Sequence, residues 1–130
     1  MTSRPTAPLD VVNAFMHAME KKDYDTGLQF VADDCVYVNG PVGTMHGPAG
    51  VRAMLEPFFE PILENIFVVR RELVSGATVV LERLDRHRLP GGWVELPVTG
   101  VFEVHDGRIN VWNEYFDVAT LTNAIAALPK

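Results

Sequence analysis

An arginine and an aspartate lie two residues apart in a stretch that otherwise has the aliphatic, β-branched character of a strand. Side chains on a strand alternate between its two faces, so Val79 and Leu81 begin one face of this stretch. Arg83, Asp85 and His87 continue the same face. Buried charges are costly unless they are paired and hydrogen-bonded, so burial of this face would need a reason. The alternative is an ordinary structural ion pair or a solvent-exposed strand face.

A second carboxylate stands between two aromatic residues near the end of the chain. Trp112, Glu114 and Phe116 alternate along a predicted strand and therefore share one face. Taken alone, Glu114 is predicted to have an exposed side chain near a strand end, because glutamate is rarely buried without a partner. Arg83 offers a partner, since one guanidinium has five N–H donors and can hold the carboxylates of both Asp85 and Glu114.

A hydroxyl and an amide join this set from another predicted strand, where Tyr37 and Asn39 share a face. Together these groups suit acid/base chemistry on a positioned water. One carboxylic acid donates a proton while the other carboxylate accepts one. Their environments assign the two roles by separating the two pKa values.

Helical and strand periodicities follow each other in the order of an α+β fold: helices first, then a strand meander, then a helix. Predicted helices cover residues 9–22, 24–30, 48–58 and 118–128. Predicted strands cover residues 35–39, 62–73, 78–89, 92–103 and 108–117. We expect a curved mixed or antiparallel β-sheet with helices packed on its concave face and a pocket in the concavity.

Glycine and proline positions set the predicted boundaries of these elements. Residues 40–50 contain four glycines and two prolines, which predict a loop. Pro57 and Pro61 predict the end of the third helix. The last helix is predicted to bury one stripe of apolar residues: Leu121, Ala124, Ile125 and Leu128.

Length and composition favour one domain, because a chain of 130 residues that is 48% hydrophobic can bury a full core. We expect a flexible tail over residues 1–8 and a single domain over residues 9–130. The net charge of -6 argues against nucleic acid or an anionic membrane as a partner. No apolar run approaches the ~20 residues of a membrane span. The N-terminus lacks the apolar segment of a signal peptide, so we expect a cytoplasmic protein.

Cysteine and histidine usage gives no sign of a metal site. Cys35 is the single cysteine, which excludes a disulfide framework and a cysteine metal cluster within the chain. The four histidines are scattered over different predicted elements without the spacing of metal ligands: His17, His46, His87 and His105. We therefore expect no metal.

Five short segments carry a resemblance to a known family: AFM at residues 14–16, YVN at 37–39, ERLD at 82–85, GVF at 100–102 and WNEYFD at 112–117. In type and spacing they resemble the limonene-1,2-epoxide hydrolases, which have the nuclear-transport-factor-like, or cystatin-like, cone fold. The resemblance covers roughly residues 9–128. It implies an enzyme that hydrolyses an epoxide without a cofactor.

The resemblance also implies a role for each polar group. Asp85 resembles the general acid that protonates the epoxide oxygen, and Arg83 resembles the bridge between the two carboxylates. Tyr37 and Asn39 resemble the groups that position the attacking water. Glu114 stands where the family has the aspartate that activates this water.

Three departures from the family pattern suggest that the substrate differs from limonene oxide. Glu114 is one methylene longer than the family's aspartate. Asn113 precedes it where an arginine is usual, and His87 stands where an apolar residue is expected.

The predicted pocket would suit a small apolar epoxide, terpene-like or cyclic, and its product would be a vicinal diol. For any single residue predicted to line the pocket, the alternative is ordinary packing in the hydrophobic core. We expect a homodimer formed through the outer sheet face, where Leu84, Val101 and Val111 lie. The predicted lining residues are Met16, Met19, Leu55, His87, Leu96, Val98, Trp112, Phe116 and Leu121.

Two other classes of function remain open, because one fold hosts many functions. The first is a different acid/base enzyme, such as an epoxide-opening cyclase or a ketosteroid-isomerase-like enzyme. The second is a non-catalytic domain that binds a small ligand. Tyr37 and Asn39 favour hydrolysis over cyclisation, since cyclisation must exclude water.

Overall fold

Six strands form one curved sheet in the computed structural model, which describes residues 4–129. The strands are β1 (Val31–Asn39), β2 (Gly43–His46), β3 (Glu64–Ser75), β4 (Thr78–Leu89), β5 (Gly92–His105) and β6 (Arg108–Tyr115). The helices are α1 (Pro8–Glu20), α2 (Tyr24–Gly27), α3 (Gly47–Phe59) and α4 (Val118–Ala126), with a short 3-10 helix at Leu28–Phe30.

The strand order across the sheet is β2-β1-β6-β5-β4-β3. Every neighbouring pair is antiparallel except β1 and β6, which run parallel. The last four strands form the predicted antiparallel meander, and short turns join them because antiparallel neighbours need no long crossover. The prediction of an α+β fold with a mixed curved sheet is confirmed.

One face of β4 is buried along nearly its whole length. Val79 and Leu81 are fully buried, and Arg83, Asp85 and His87 on the same face are at most 7% exposed. Residues of the opposite parity are half-buried. The prediction that Arg83 and Asp85 share one face of the strand holds, and the structure shows that this face is the inner one, under the helices.

Helix α1 covers this inner face with the predicted apolar stripe. Val12, Phe15, Met16 and Met19 are all buried, at the spacing of one side of a helix. The ring of Phe15 meets Trp112 of β6 edge-on, with 5.1 Å between ring centroids. The helix begins one residue earlier and ends two residues earlier than predicted.

The stretch predicted as a loop over residues 40–50 is instead largely regular. Four of its residues form β2, an edge strand that pairs with β1, and α3 starts directly after it at Gly47. Glycine-rich composition hid this strand, because edge strands tolerate residues that central strands exclude. Pro57 does not end α3, which continues to Phe59, because the buried ring of Phe59 holds the last turn against the core.

Helix α4 does not bury its apolar stripe, so that prediction is wrong. None of its residues is fully buried, and Ile125 is 44% exposed. The helix packs on β5 at the edge of a cavity, so Leu121 faces open space instead of a filled core. None of the helices in the described part of the chain is long and apolar enough to cross a bilayer.

The chain before α1 lies partly outside the described residues, which begin at Arg4. The guanidinium of Arg4 stacks on the ring of Phe30, 5.0 Å from its centroid. The flexible tail predicted for residues 1–8 stays a prediction, because residues 1–3 lie outside the described part.

Candidate active site

Arg83 holds both carboxylates of the predicted set. Its Nε donates to Oδ1 of Asp85 at 2.9 Å and its Nη2 to Oδ2 at 3.0 Å. The same Nη2 donates to Oε1 of Glu114 at 2.6 Å, and Nη1 donates to Oε2 at 3.3 Å. Both pairs are bidentate, which the planar guanidinium fork favours over a single point contact. The three side chains therefore form one rigid ionic group.

This ionic group spans three strands. Arg83 and Asp85 stand on β4, Glu114 stands on β6, and β5 runs between them. Gly100 of β5 lies directly opposite Glu114 in the register. A Cβ at Gly100 would lie 2.5 Å from Oε2 of Glu114 and 2.8 Å from Nη1 of Arg83. Because Gly100 has no side chain, the Glu114 carboxylate and the Arg83 guanidinium have room to meet beside it.

Tyr37 and Asn39 reach the same place from β1, the other neighbour of β6. Asn39 lies opposite Glu114 in the parallel register, and Tyr37 lies opposite Trp112. The amide of Asn39 donates to the Tyr37 hydroxyl at 2.8 Å, and the Tyr37 ring stacks on Trp112 at 4.0 Å between centroids. These contacts fix both polar side chains beside Glu114.

One buried polar atom of this group has no partner. Oδ1 of Asn39 is buried and accepts no hydrogen bond from any of the residues described. Buried polar groups are usually satisfied, so such an atom marks a place for a hydrogen-bonding ligand. A water here could donate to Oδ1 of Asn39 and to the Glu114 carboxylate and accept from the Tyr37 hydroxyl.

Burial governs the protonation of these groups. It raises the pKa of Glu114, and the Arg83 guanidinium opposes that rise. Burial also raises the pKa of Tyr37, with the Glu114 charge adding to the effect, so Tyr37 keeps its proton at neutral pH. Two carboxylates on one guanidinium carry a buried net charge of -1 when both are ionised. One retained proton makes the group neutral and removes this cost.

A cavity of about 240 Å³ opens beside these polar groups. Its wall contains all five polar side chains of the set. The structure also brings every predicted pocket residue into this wall: Met16, Met19, Leu55, His87, Leu96, Val98, Trp112, Phe116 and Leu121. Their contact with a substrate stays a prediction.

Several residues of the cavity wall, and the need for a glycine at position 100, were not predicted from the sequence. Gly100 carried a signal, because a glycine inside an apolar strand marks a close approach of other groups. Val42 gave no signal, since it lies in a turn that only the fold brings over the cavity. The other residues missed are Met54, Phe58, Phe59, Phe67 and Val118.

The sequence model of the limonene-1,2-epoxide hydrolase catalytic domain matches residues 6–127, nearly the whole chain. The chain belongs to the limonene-1,2-epoxide hydrolase family. The predicted family is therefore confirmed, and with it the prediction of an enzyme of the epoxide hydrolase class.

Relatives within this family agree with the match. The epoxide hydrolase EphG of Mycobacterium tuberculosis (strain ATCC 25618 / H37Rv) is 35% identical over 107 residues, which cover 82% of this chain and 71% of EphG. A solved structure of an M. tuberculosis LEH-like epoxide hydrolase superposes with a TM-score of 0.75 at 32% identity, covering 90% of each chain.

The fold extends beyond the family. A structure described as a SnoaL-like polyketide cyclase, from Shewanella putrefaciens CN-32, superposes with a TM-score of 0.83. It covers 95% of this chain and 98% of its own, but the two sequences are only 18% identical. That likeness concerns the fold alone, so the chemistry of this chain must be argued from its own site.

Proposed function

We propose that this member of the limonene-1,2-epoxide hydrolase family adds water in one step to a small apolar epoxide and releases a vicinal diol. One observation carries the proposal: a buried arginine holds two carboxylates in the wall of an apolar cavity, with a tyrosine and an asparagine beside one of them. An acid and a base that one arginine holds in fixed positions can act on opposite sides of one oxirane.

In the proposed mechanism Tyr37, Asn39 and Glu114 hold the attacking water. As the water oxygen bonds to an epoxide carbon, Glu114 takes a proton from it. Asp85 gives its proton to the epoxide oxygen while the carbon–oxygen bond breaks. One proton leaves Asp85 and one arrives at Glu114, so the net charge around Arg83 stays constant. A proton transfer from Glu114 to Asp85 then restores the starting state.

Burial raises the pKa of Glu114 and so favours its protonated form, whereas the role of base needs the ionised form at the start. A base with a higher pKa binds the water proton more strongly, provided it is ionised at the start. The two hydrogen bonds from Arg83 favour this ionised form. Water has two O–H donors, one for the unpartnered Oδ1 of Asn39 and one for Glu114, whereas an internal hydroxyl has only one. The site therefore favours hydrolysis over the cyclisation that the same acid and base could drive.

Isotope labelling tests the one-step addition. In a single turnover in H₂¹⁸O with enzyme in excess, a panel of cyclic and linear epoxides should give diols that already carry one ¹⁸O. A covalent ester on a carboxylate would instead place unlabelled oxygen in the first diol. A cyclic ether or a ketone as the product would support the alternative enzyme classes. Binding without conversion of any epoxide would support the ligand-binding domain. Chiral analysis of the diols identifies the carbon attacked.

We also propose that the chain forms a homodimer through the outer face of its sheet. Val68 and Val36 on this face are 39% and 37% exposed, and they flank the predicted contact residues of the inner strands. Apolar surface on one sheet face is a common basis for self-association.

Light scattering at tens of micromolar should give twice the chain mass for the wild type. Leu84→Lys, which places a charge on this face, should give a folded monomer. Leu63→Lys, at an exposed apolar residue just before β3, should stay dimeric and serves as the control. A wild-type monomer at this concentration would contradict the proposal.

A further inference from the structure

A buried histidine forms part of the cavity wall at a distance from the acid/base group. His87 is 2% exposed, and its Nδ1 lies 2.7 Å from Oδ1 of Asn65, which is 4% exposed. Phenylalanine rings surround the imidazole, with Phe58 edge-on at 5.5 Å and Phe59 at 6.5 Å between centroids. The proposed hydrolysis does not use this pair of side chains.

The contact with Asn65 determines what the other ring nitrogen offers. As placed here, Oδ1 of Asn65 can only accept, so Nδ1 of His87 carries the proton and donates it, while Nδ2 of Asn65 is buried without a partner among the described residues. Nε2 is then the acceptor nitrogen, and Nδ1 is the ring atom that takes part in the hydrogen bond found for His87 within residues 4–129. Burial lowers the pKa of His87, with the Asp85 charge opposing and the Arg83 charge adding, so the ring is neutral at neutral pH.

The position of His87 along β4 indicates the direction in which a bound substrate would extend. Gly100, which lies opposite Glu114, pairs with Leu81 of β4. Asp85 and His87 follow on β4 in that order, on the same face and about 7 Å apart between Cα atoms. An epoxide held between Glu114 and Asp85 would therefore extend its carbon skeleton toward His87.

Two cavities adjoin His87. Phe58, His87 and Leu121 border the cavity that holds the acid/base group and also a second cavity of about 270 Å³. A histidine in the solid core would show no such openings. The imidazole thus stands at the junction of two apolar spaces, where one polar group of a ligand can reach it.

We propose that His87, held by Asn65, accepts a hydrogen bond from the substrate, so that the preferred epoxide is an apolar skeleton bearing one hydroxyl or N–H group remote from the oxirane, at the end that lies toward His87. This inference rests on the proposed function and narrows its substrate class. A hydroxyl that reaches Nε2 pairs with that acceptor, whereas a hydrocarbon in the same place desolvates the acceptor and leaves it unpaired.

Three epoxides that share one skeleton test the inference, with a hydroxyl, a methoxy or a methyl group at the remote position. Wild-type kcat/KM should be at least about tenfold higher for the hydroxyl compound than for either of the others. The methoxy compound has a polar oxygen but no donor, so it separates donation to Nε2 from simple polarity. Equal rates for the three compounds, or a preference for the methyl compound, would overturn the inference and leave the proposed hydrolysis intact.

His87→Leu puts an apolar side chain in the same place in the wall and removes the acceptor. It should hydrolyse the methyl compound and show a hydroxyl-to-methyl ratio near one. Met54→Leu, elsewhere in the same wall, should keep the wild-type ratio. Asn65→Leu frees the imidazole without removing it and should reduce the ratio only in part. If His87→Leu fails to fold, the wild-type ratio still decides.

Binding provides a readout that does not depend on turnover. Analogues with a cyclopropane in place of the oxirane cannot react, and Trp112 in the wall reports their binding by fluorescence. The wild type should bind the hydroxyl analogue at least about tenfold more tightly than the methyl analogue. In ¹⁵N spectra the free protein should show the Nδ1–H tautomer of His87, and the hydroxyl analogue should shift Nε2. Selective binding with no turnover of any epoxide would refute the proposed hydrolysis alone, whereas unselective binding would refute the role of His87.

Discussion

Glu114→Gln is expected to lower kcat by about 1,000-fold, because an amide cannot take a proton from the attacking water. The amide has nearly the same shape as the carboxylate, so the cavity and its ligand should be retained. Measured with saturating epoxide, the loss should fall on kcat and leave KM within a few-fold. Glu82→Gln, on the opposite face of β4, should retain the parent rate and is the matched control.

Asp85→Asn is expected to cause a loss of similar size for the opposite reason: it removes the proton that the epoxide oxygen must receive. Arg83 holds each carboxylate in its own place, so neither can take over the other's role. Glu114→Asp should stay active, since it restores the family's usual residue. Turnover by Glu114→Gln at near the parent rate would leave Glu114 as no more than a structural partner of Arg83.

Stability measurements separate lost chemistry from lost folding. Burial raises the pKa of Glu114 above its ordinary value of 4.5, so the folded state binds this proton more tightly than the unfolded chain does. The resulting stabilisation is complete below about pH 4.5 and is lost as the pH rises through the folded-state pKa. Glutamine has no such proton to lose. In chemical denaturation from about pH 4 to about pH 8, Glu114→Gln should therefore gain free energy of unfolding relative to the wild type as the pH rises.

Gly100→Ala is expected to lower kcat on the order of 100-fold, although the new side chain touches no substrate. Alanine is normally more favourable than glycine inside a strand. Here the added methyl would lie 2.5 Å from the Glu114 carboxylate and 2.8 Å from the Arg83 guanidinium, so that pair must move. A displacement of about 1 Å in a catalytic group is enough for a loss of this size.

Two further variants show whether the Gly100→Ala effect comes from the ion pair. Thr99→Ala changes the adjacent residue on the other face of β5 and should leave kcat unchanged within a few-fold. In Gly100→Ala/Glu114→Asp the shorter side chain withdraws its carboxylate from the added methyl. The double variant should be more active than Gly100→Ala alone, a non-additivity expected only of residues in contact. Parent-level kcat in Gly100→Ala would mean that the pair can shift without harm.

Local sequence predicted those parts of the site that depend on a single element. Arg83 and Asp85 share a face because they alternate on one strand, and Tyr37 and Asn39 do so for the same reason. The stripe of α1 followed from helical periodicity, and its residues are buried as predicted. In each case the geometry repeats over two to seven residues, so neighbouring positions in the chain carry all the information that is needed.

Other features depended on contacts between distant parts of the chain. β2 has four residues and no strand pattern of its own, and it forms because β1 offers an open edge. The apolar stripe of α4 stays half-exposed because the helix borders a cavity, and periodicity cannot distinguish a cavity from a filled core. Asn65 pairs with His87 only because β3 and β4 align in one register.

The sequence by itself determined the α+β class, which residues share a face of β4 and the residue types of an acid/base site. Only the tertiary structure decided that Glu114 meets Arg83 across an intervening strand. That meeting depends on the registers of β4 with β5 and of β5 with β6 and on the space above Gly100. The place of Tyr37 and Asn39 beside Glu114 depends on the parallel register of β1 with β6, two strands far apart in the chain. Side-chain alternation is a local property of the backbone. The register between strands that are far apart in the chain is a result of packing the whole domain, and no short stretch of sequence encodes it.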